Sequence, residues 1–202
     1  MNQQINDGEA ASRPVKMLIL QALAHGSVLF ALGALLVWLE ASVNAGAAPW
    51  KLLAAAAAAF VSGLGLSHIV HEWGHYLGAV GARAAVDIKA RIAPLFFDFD
   101  FSKNSNAQFL AMSLCGLAGN ILLLAVALWW AVPPGPVVSS LLAAVMGQFV
   151  FVLILELPVS VGVLRGGGPW EVLGAHFGQG APLFLGALVA GVAVAALVLV
   201  GY

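Results

Sequence analysis

Five long apolar stretches constrain the fold of this chain more than any other feature of its sequence. A helix that crosses a bilayer needs about 20 mainly apolar residues. Five segments meet this requirement: 17–39, 52–78, 108–131, 137–157 and 181–201. Backbone N–H and C=O groups in lipid must find partners within the protein, which favours helices over open sheets. The sequence therefore predicts an all-α polytopic membrane protein with about five transmembrane helices.

The small number of charged residues supports the same fold class. They make up 8% of the chain, whereas a soluble domain carries roughly 25%. So few charges cannot cover a water-exposed surface, so we expect the lipid bilayer to be the main solvent. A net charge of -1 gives no electrostatic basis for a nucleic-acid partner. We expect residues 1–16, which are polar, to be a disordered N-terminal segment and residues 17–202 to be a single transmembrane domain.

The positions of lysine and arginine predict a cytoplasmic N-terminus. Basic residues are enriched in the cytoplasmic loops of membrane proteins. With the N-terminus in the cytoplasm, only Lys51 falls on the opposite side of the membrane. The seven other basic residues fall on the cytoplasmic side: Arg13, Lys16, Arg83, Lys89, Arg91, Lys103 and Arg165. We therefore predict an integral, multi-pass membrane protein whose second span ends at the cytoplasmic face.

The segment between the second and third spans has a different pattern. Charged and apolar residues alternate from Val86 to Ile92 and again from Phe97 to Phe101, which is the period of a strand. Ala93 and Pro94 mark a turn between the two alternations. The pattern predicts a small membrane-associated β-hairpin, whose edges must contact water or protein. The alternative is a loop with an amphipathic edge.

Prolines and glycines predict where the later spans end. Pro133, Pro134 and Pro136 interrupt the chain between the third and fourth spans. Pro158 is expected to end or kink the fourth span, because it lacks a backbone N–H. The run Gly166–Pro169 predicts a flexible or tightly turned loop.

One motif, His71-Glu72-Trp73-Gly74-His75, carries recognisable chemistry, and it lies near the end of the second span. On a helix, side chains four residues apart lie on one face, one turn apart. Both imidazoles can therefore bind one zinc ion at about 2.0–2.1 Å. Glu72 falls beside the metal, where it can take a proton from an activated water and pass it to a leaving amine. The alternative interpretation is a polar cluster of His and Glu side chains at a helix end.

A catalytic zinc normally has three protein ligands, so a third must come from elsewhere in the chain. Glu156 is the leading candidate, because it is the only carboxylate deep in another predicted span and needs a compensating partner. Asp98, Asp100 and Glu171 are alternatives, since all three lie on the same predicted side of the membrane. Glu156 has an alternative role as a hydrogen-bonded or protonated carboxyl group in a helix interface.

Asn120 is a polar amide inside the third predicted span. Such a group can form a hydrogen bond across a helix interface, with a free energy of about 0.6 kcal/mol. It can instead hold an extended substrate backbone or an oxyanion near the metal.

These residues together resemble the site-2 protease family of intramembrane zinc metalloproteases. The His71–His75 motif matches the family's HExGH sequence on a hydrophobic helix, and the region after it resembles the family's membrane-associated β-hairpin. Gly116 and Asn120 are spaced as in the family's G-x-x-x-N motif. The resemblance covers residues from about 60 to 170. It implies a zinc endopeptidase that hydrolyses peptide bonds of membrane-protein substrates near the cytoplasmic face.

The chain departs from the family at the position of the third ligand. The family supplies an aspartate from an N-x-x-P-x-P-x-x-D-G motif, but Arg165 stands before the glycines here. Either Glu156 or Glu171 replaces that aspartate, or the site is incomplete. The alternative function is therefore a catalytically degenerate or non-proteolytic metal-binding membrane protein, acting as a scaffold or in a transporter-like role.

Overall fold

The computed structural model describes residues 4–46, 48–130 and 135–201. Within these residues the chain forms six α-helices and two short strands. In chain order they are α1 (Gln4–Asn44), α2 (Pro49–Gly81), β1 (Val86–Ile88), β2 (Phe97–Phe99), α3 (Asn106–Trp130), α4 (Pro136–Leu164), α5 (Pro169–Phe177) and α6 (Ala181–Gly201). All the described helices except α5 are long and apolar enough to cross a membrane. The predicted fold class, five apolar spans with a hairpin between the second and third, is confirmed.

Helix α1 is longer than the first predicted span. It begins at Gln4, so it includes residues 4–16 as well as the first apolar stretch. Residues 1–3 lie outside the described part of the chain. Extending an existing helix adds one hydrogen bond per residue, which makes it much easier than nucleating a new one. The long apolar span therefore carries the helix outward into the polar segment.

The region around the fourth span also differs from expectation. Helix α4 continues through Pro158 and ends at Leu164, so this proline does not terminate it. Proline is tolerated within membrane-spanning helices, where neighbouring groups can satisfy the backbone carbonyl that it frees. Helix α5, which follows the glycine run, was not predicted. Of the other prolines expected to interrupt the chain, Pro133 and Pro134 lie outside the described residues, while Pro136 is the first residue of α4.

Helix α4 is the central helix of the bundle. It packs against α2, α3 and α6, and it is the most buried of the five spans. Its first turns are almost completely covered, from Val137 to Val145. The N-terminal part of α4 therefore lies in the interior of the bundle.

Helices α2 and α3 pack closely because glycines line their interface. A methyl group added to Gly74 would collide with the backbone of Cys115 and Gly116, and one added to Gly78 would collide with the carbonyl of Ala111. Small residues allow backbones to approach in a bilayer, where packing drives helix association. This contact holds the face of α2 that carries the His71–His75 motif directly against α3.

The hairpin is short, and side-chain hydrogen bonds hold it at both ends. Strands β1 and β2 pair antiparallel, with Val86 opposite Phe99 and Ile88 opposite Phe97. The Asn104 side chain accepts a hydrogen bond from the Ala85 N–H at 2.6 Å and donates one to the Ala85 carbonyl at 2.7 Å. At the other end the buried side chain of Gln21 on α1 donates to the Arg91 carbonyl at 2.7 Å and accepts from the Ala93 N–H at 3.3 Å. The hairpin is thereby held beside the end of α2.

Candidate metal centre

The two motif histidines converge as their spacing predicts. His71 Nε2 and His75 Nε2 lie 2.9 Å apart, and the two rings meet edge to face with centroids 4.2 Å apart. His71 is buried, with 4% of its surface exposed, and His75 is partly buried. The helix therefore presents two imidazole nitrogens to one point inside the bundle.

Glu156 completes a group of three donor atoms. Its Oε1 lies 2.8 Å from His71 Nε2 and 3.2 Å from His75 Nε2. The carboxylate comes from the central helix α4 and the histidines from α2, which packs against it. Of the carboxylates proposed from sequence as the third ligand, Glu156 is the one that contacts both imidazoles.

Two of the alternative carboxylates are engaged on the hairpin side of the protein. Asp98 Oδ1 lies 3.2 Å from Lys89 Nζ. Asp100 Oδ2 lies 2.7 Å from Lys103 Nζ, and its Oδ1 accepts a hydrogen bond from the Ser102 hydroxyl at 2.6 Å. The hydrogen bond with Lys103, followed by that with Ser102, holds the pKa of Asp100 below its usual range. The contact with Asp100 in turn raises the pKa of Lys103. Both aspartates have partners without a metal.

Glu171, the remaining alternative, lies in the first turn of α5 and is exposed. Such a position gives a carboxylate a favourable interaction with the helix dipole and with water. Glu171 therefore needs no further ligand where it stands.

Glu72 lies beside the three donors. A carboxylate oxygen of Glu72 and one nitrogen from each of His71 and His75 all lie within 4.8 Å of one another. Two carboxylates thus border the histidine pair, but Glu156 makes the shorter contacts to both rings. His71, Glu72 and His75 therefore form a group that could hold a metal ion, and Glu156 contacts both of its imidazoles.

Helix α3 contacts the opposite side of both imidazole rings. His75 Nδ1 lies 3.0 Å from the backbone carbonyl of Met112. A carbonyl oxygen can only accept, so Nδ1 carries the proton, and the neutral ring presents a lone pair at Nε2. Gly116 lies flat against the same ring, where a side chain would overlap it. The Met112 carbonyl, which no sequence pattern indicated, thus sets the tautomer that a metal ligand requires.

Asn120 stands behind the other histidine. It is fully buried, and its Nδ2 lies 3.2 Å from His71 Nδ1. Of the two roles considered from sequence, the hydrogen bond across the helix interface is the one that this contact provides. Its Oδ1 is buried without a hydrogen-bond partner among the described residues.

The geometry of the three donors fits a divalent cation such as zinc. Tetrahedral zinc with bonds of about 2.0–2.1 Å keeps its ligand atoms about 3.3 Å apart. The observed separations of 2.8, 2.9 and 3.2 Å are each within about 0.5 Å of that value. Glu156 Oε2 is also buried and has no hydrogen-bond partner among the described residues. A buried carboxylate oxygen without a partner is costly, and a cation would offset that cost.

An aromatic cluster closes the other side of the motif. The Trp73 indole N–H donates to His25 Nδ1 at 3.0 Å, and the buried Phe96 ring packs against Trp73 and Tyr76 with centroids 4.6 and 5.3 Å away. The sequence assigned no role to His25, because its partner lies 48 residues away in the chain. These contacts join α1, α2 and the hairpin loop beside the histidine pair.

A small apolar cavity adjoins the donor atoms. Its volume is about 180 Å³, and it is bordered at one end by His75 and Glu156. The rest of its wall is mainly apolar and comes from the hairpin, α3, α4 and α5: Phe101, Phe109, Met112, Ser113, Val159, Leu173 and Phe177. The site therefore opens toward a space that can hold an apolar side chain.

Comparison with known proteins gives no family for this chain. No protein-family model, curated protein or solved structure matches it.

Proposed function

We propose that this protein is an intramembrane zinc metalloprotease of the site-2 protease type. In this proposal it hydrolyses peptide bonds of membrane-protein substrates near the cytoplasmic face. The observation that carries the proposal is the convergence of His71 Nε2, His75 Nε2 and Glu156 Oε1, with the Glu72 carboxylate beside them. Two imidazoles and one carboxylate form a ligand set that catalytic zinc sites use.

The role of each residue follows from its chemistry. His71, His75 and Glu156 would hold the zinc, which supplies Lewis-acid polarisation of the peptide carbonyl and lowers the pKa of water. Glu72 would accept the proton of the attacking water as general base and then donate it to the leaving amine as general acid. A carboxylate oxygen of Glu72 lies within 4.8 Å of one nitrogen of each histidine, which would place it near a water bound at the metal.

The surroundings of the site suit an extended, apolar substrate. The carbonyls of a helical peptide are already hydrogen-bonded, so a transmembrane substrate must unwind before attack. An unwound segment can then pair with an exposed strand edge of the hairpin. The cavity beside His75 and Glu156 can hold an apolar side chain of that segment.

The proposal is tested by replacing Glu72 with glutamine. Purified protein is reconstituted in phosphatidylcholine–phosphatidylglycerol vesicles with labelled single-span peptides that carry glycine and proline near one end. Cleavage is followed by mass spectrometry and zinc content by atomic absorption. Glu72→Gln is expected to keep its zinc and to cleave the peptide at least 100-fold more slowly. This is the lower limit of the contribution of general acid–base catalysis, which is roughly 10²–10⁴-fold.

Glu40→Gln provides a matched control, since it makes the same change on α1, away from the donor atoms. This variant is expected to cleave like the wild type. Undiminished cleavage by Glu72→Gln would reject the mechanism. Wild-type protein that binds zinc but cleaves no peptide would favour a non-proteolytic role.

A second candidate function is a catalytically degenerate membrane protein without a working metal site. The contact of Asn120 Nδ2 with His71 Nδ1 favours it, because an amide donor there leaves the proton of neutral His71 on Nε2. That proton would be donated to Glu156 Oε1 at 2.8 Å, giving a polar network that needs no metal. Absence of zinc from wild-type protein purified without chelators would select this candidate.

A further inference from the structure

Asn120 is placed where it controls how His71 can be used. Its side chain has no exposed surface and contacts Nδ1, the ring nitrogen that faces α3. The other nitrogen, Nε2, faces Glu156 and His75. A neutral imidazole carries one proton, so the group bound at Nδ1 decides whether Nε2 is a donor or a lone pair.

The tautomer of His75, one turn away on the same helix, is set by a backbone carbonyl. Its Nδ1 donates to the Met112 carbonyl at 3.0 Å, which leaves Nε2 unprotonated. Both imidazoles of α2 are thus backed by polar groups of α3: a backbone carbonyl for His75 and the Asn120 carboxamide for His71. A metal requires the same tautomer from both rings, so His71 also needs an acceptor at Nδ1.

The carboxamide of Asn120 can provide that acceptor by turning over. Its oxygen and nitrogen ends are nearly equal in size, and rotation about the last side-chain bond exchanges them. The Oδ1 atom is buried without a partner among the described residues, so nothing there holds the oxygen away from His71. After the exchange, His71 Nδ1–H donates to Asn120 Oδ1, and Nε2 presents its lone pair beside that of His75.

We propose that Asn120 is a positioning residue for metal binding: its amide oxygen accepts the Nδ1 proton of His71 and so directs the Nε2 lone pair toward His75 and Glu156. Hydrogen-bond partners of this kind orient metal-binding histidines and typically change metal affinity by about 10–100-fold. The proposal rests on the proposed metal site but not on peptide hydrolysis. It differs from a substrate-binding role, because Asn120 contacts the side of the ring that faces away from the donor atoms.

The test compares zinc dissociation constants of detergent-solubilised full-length variants, measured by competition with a chromophoric chelator. Asn120→Leu keeps the approximate size of the side chain but offers no acceptor, and it is expected to bind zinc about 10–100-fold more weakly. Asn120→Asp keeps an acceptor oxygen at Nδ1 and is expected to lose less than about tenfold in zinc affinity, which is below that range. Rescue by aspartate separates positioning from simple loss of packing.

Ser160→Ala is the control for a lost buried hydrogen bond between helices. The Ser160 hydroxyl pairs with that of Ser113 at 2.8 Å between α4 and α3, and it contacts neither imidazole. This variant is expected to keep the wild-type zinc affinity. Thermal unfolding of the zinc-free proteins reports whether each variant is folded before the affinities are compared.

The outcomes separate the positioning role from the proposed function. Zinc affinity equal to the wild type in Asn120→Leu overturns the positioning role, while the metal site stands. Equal losses in the leucine and aspartate variants also overturn it, since the acceptor then has no effect. A wild-type protein that binds no zinc overturns both the positioning role and the proposed function.

Discussion

A single methyl group at Gly116 should disturb the candidate metal centre more than its size suggests. Gly116 lies on α3 against the ring of His75, and a methyl group there would lie 2.5 Å from Nδ1 and 2.7 Å from Nε2. Carbon atoms in contact normally lie about 3.5–4.0 Å apart. The imidazole or the helix must therefore move by about 1 Å to make room. The change Gly116→Ala tests whether this close contact holds His75 in place.

The expected loss follows from what that movement breaks. A shift of about 1 Å lengthens the bond from His75 Nδ1 to the Met112 carbonyl, now 3.0 Å, beyond hydrogen-bonding distance. It also changes the position of Nε2 relative to Glu156 Oε1, now 3.2 Å distant. Loss of an orienting partner costs about 10–100-fold in metal affinity, and overpacking lowers stability by about 1–3 kcal/mol. A misplacement of about 1 Å is expected to reduce peptide cleavage by about 100-fold.

Chelator competition on detergent-solubilised protein measures the affinity, and thermal unfolding of the zinc-free form measures the stability. Gly33→Ala is the matched control, because a methyl group at Gly33 on α1 meets no atom within 4 Å among the described residues. We expect Gly33→Ala to bind zinc like the wild type. Wild-type zinc affinity in Gly116→Ala would refute the idea that the close packing of α2 and α3 holds His75 as a ligand.

Two further predictions concern carboxylates. Glu156→Gln should weaken zinc binding at least tenfold, which is the lower end of the loss expected when a metal site is impaired. Asp98→Asn should leave zinc binding unchanged. If chelator competition shows the larger loss for Asp98→Asn, the third ligand comes from the hairpin. Asp100 has a lowered pKa, so its stabilising contribution is present above the ordinary value of about 3.9 and is lost only as the pH falls through the lower folded value. The backbone amides of residues 100–103 should therefore show constant protection from hydrogen exchange between pH 7 and about 4. Asp100→Asn should reduce that protection at pH 7. A loss of protection between pH 6 and 5 in the wild type would contradict a lowered pKa of Asp100.

The parts of the fold that local patterns could predict are those with long or strictly periodic signals. Five apolar runs predicted five spans, because a lipid environment leaves the backbone few alternatives to a helix. Alternation around residues 86–101 predicted the hairpin, with apolar side chains on one side and Asp87 and Asp98 exposed on the other. The strands are shorter than the alternation suggested, since the loop after β1 is bonded to Gln21 of a different helix.

The elements that the sequence did not predict depend on contacts between distant segments. Helix α5 is only nine residues long and follows a glycine run, and its helical form is supported by packing of Val172 against Gly162 and Gly167. Helix α4, which packs against α2, α3 and α6, continues through Pro158 to Leu164. The local sequence predicts neither the continuation of α4 nor the formation of α5, since prolines and glycine runs usually mark the places where helices end.

For the candidate site, the sequence by itself determined the pair. His71 and His75 are four residues apart on a helix, and helical geometry alone directs them to one point. Only the tertiary structure decided what meets them there. Glu156 lies 85 residues from His71 in the chain, and its contact depends on the packing of α4 against α2. The groups behind the rings, the Met112 carbonyl and the Asn120 amide, depend on the close approach of α3 through Gly74, Gly78 and Gly116. Residue spacing along one helix determines the direction in which its side chains point. Contacts between separate helices depend on side-chain packing, which no local sequence pattern predicts.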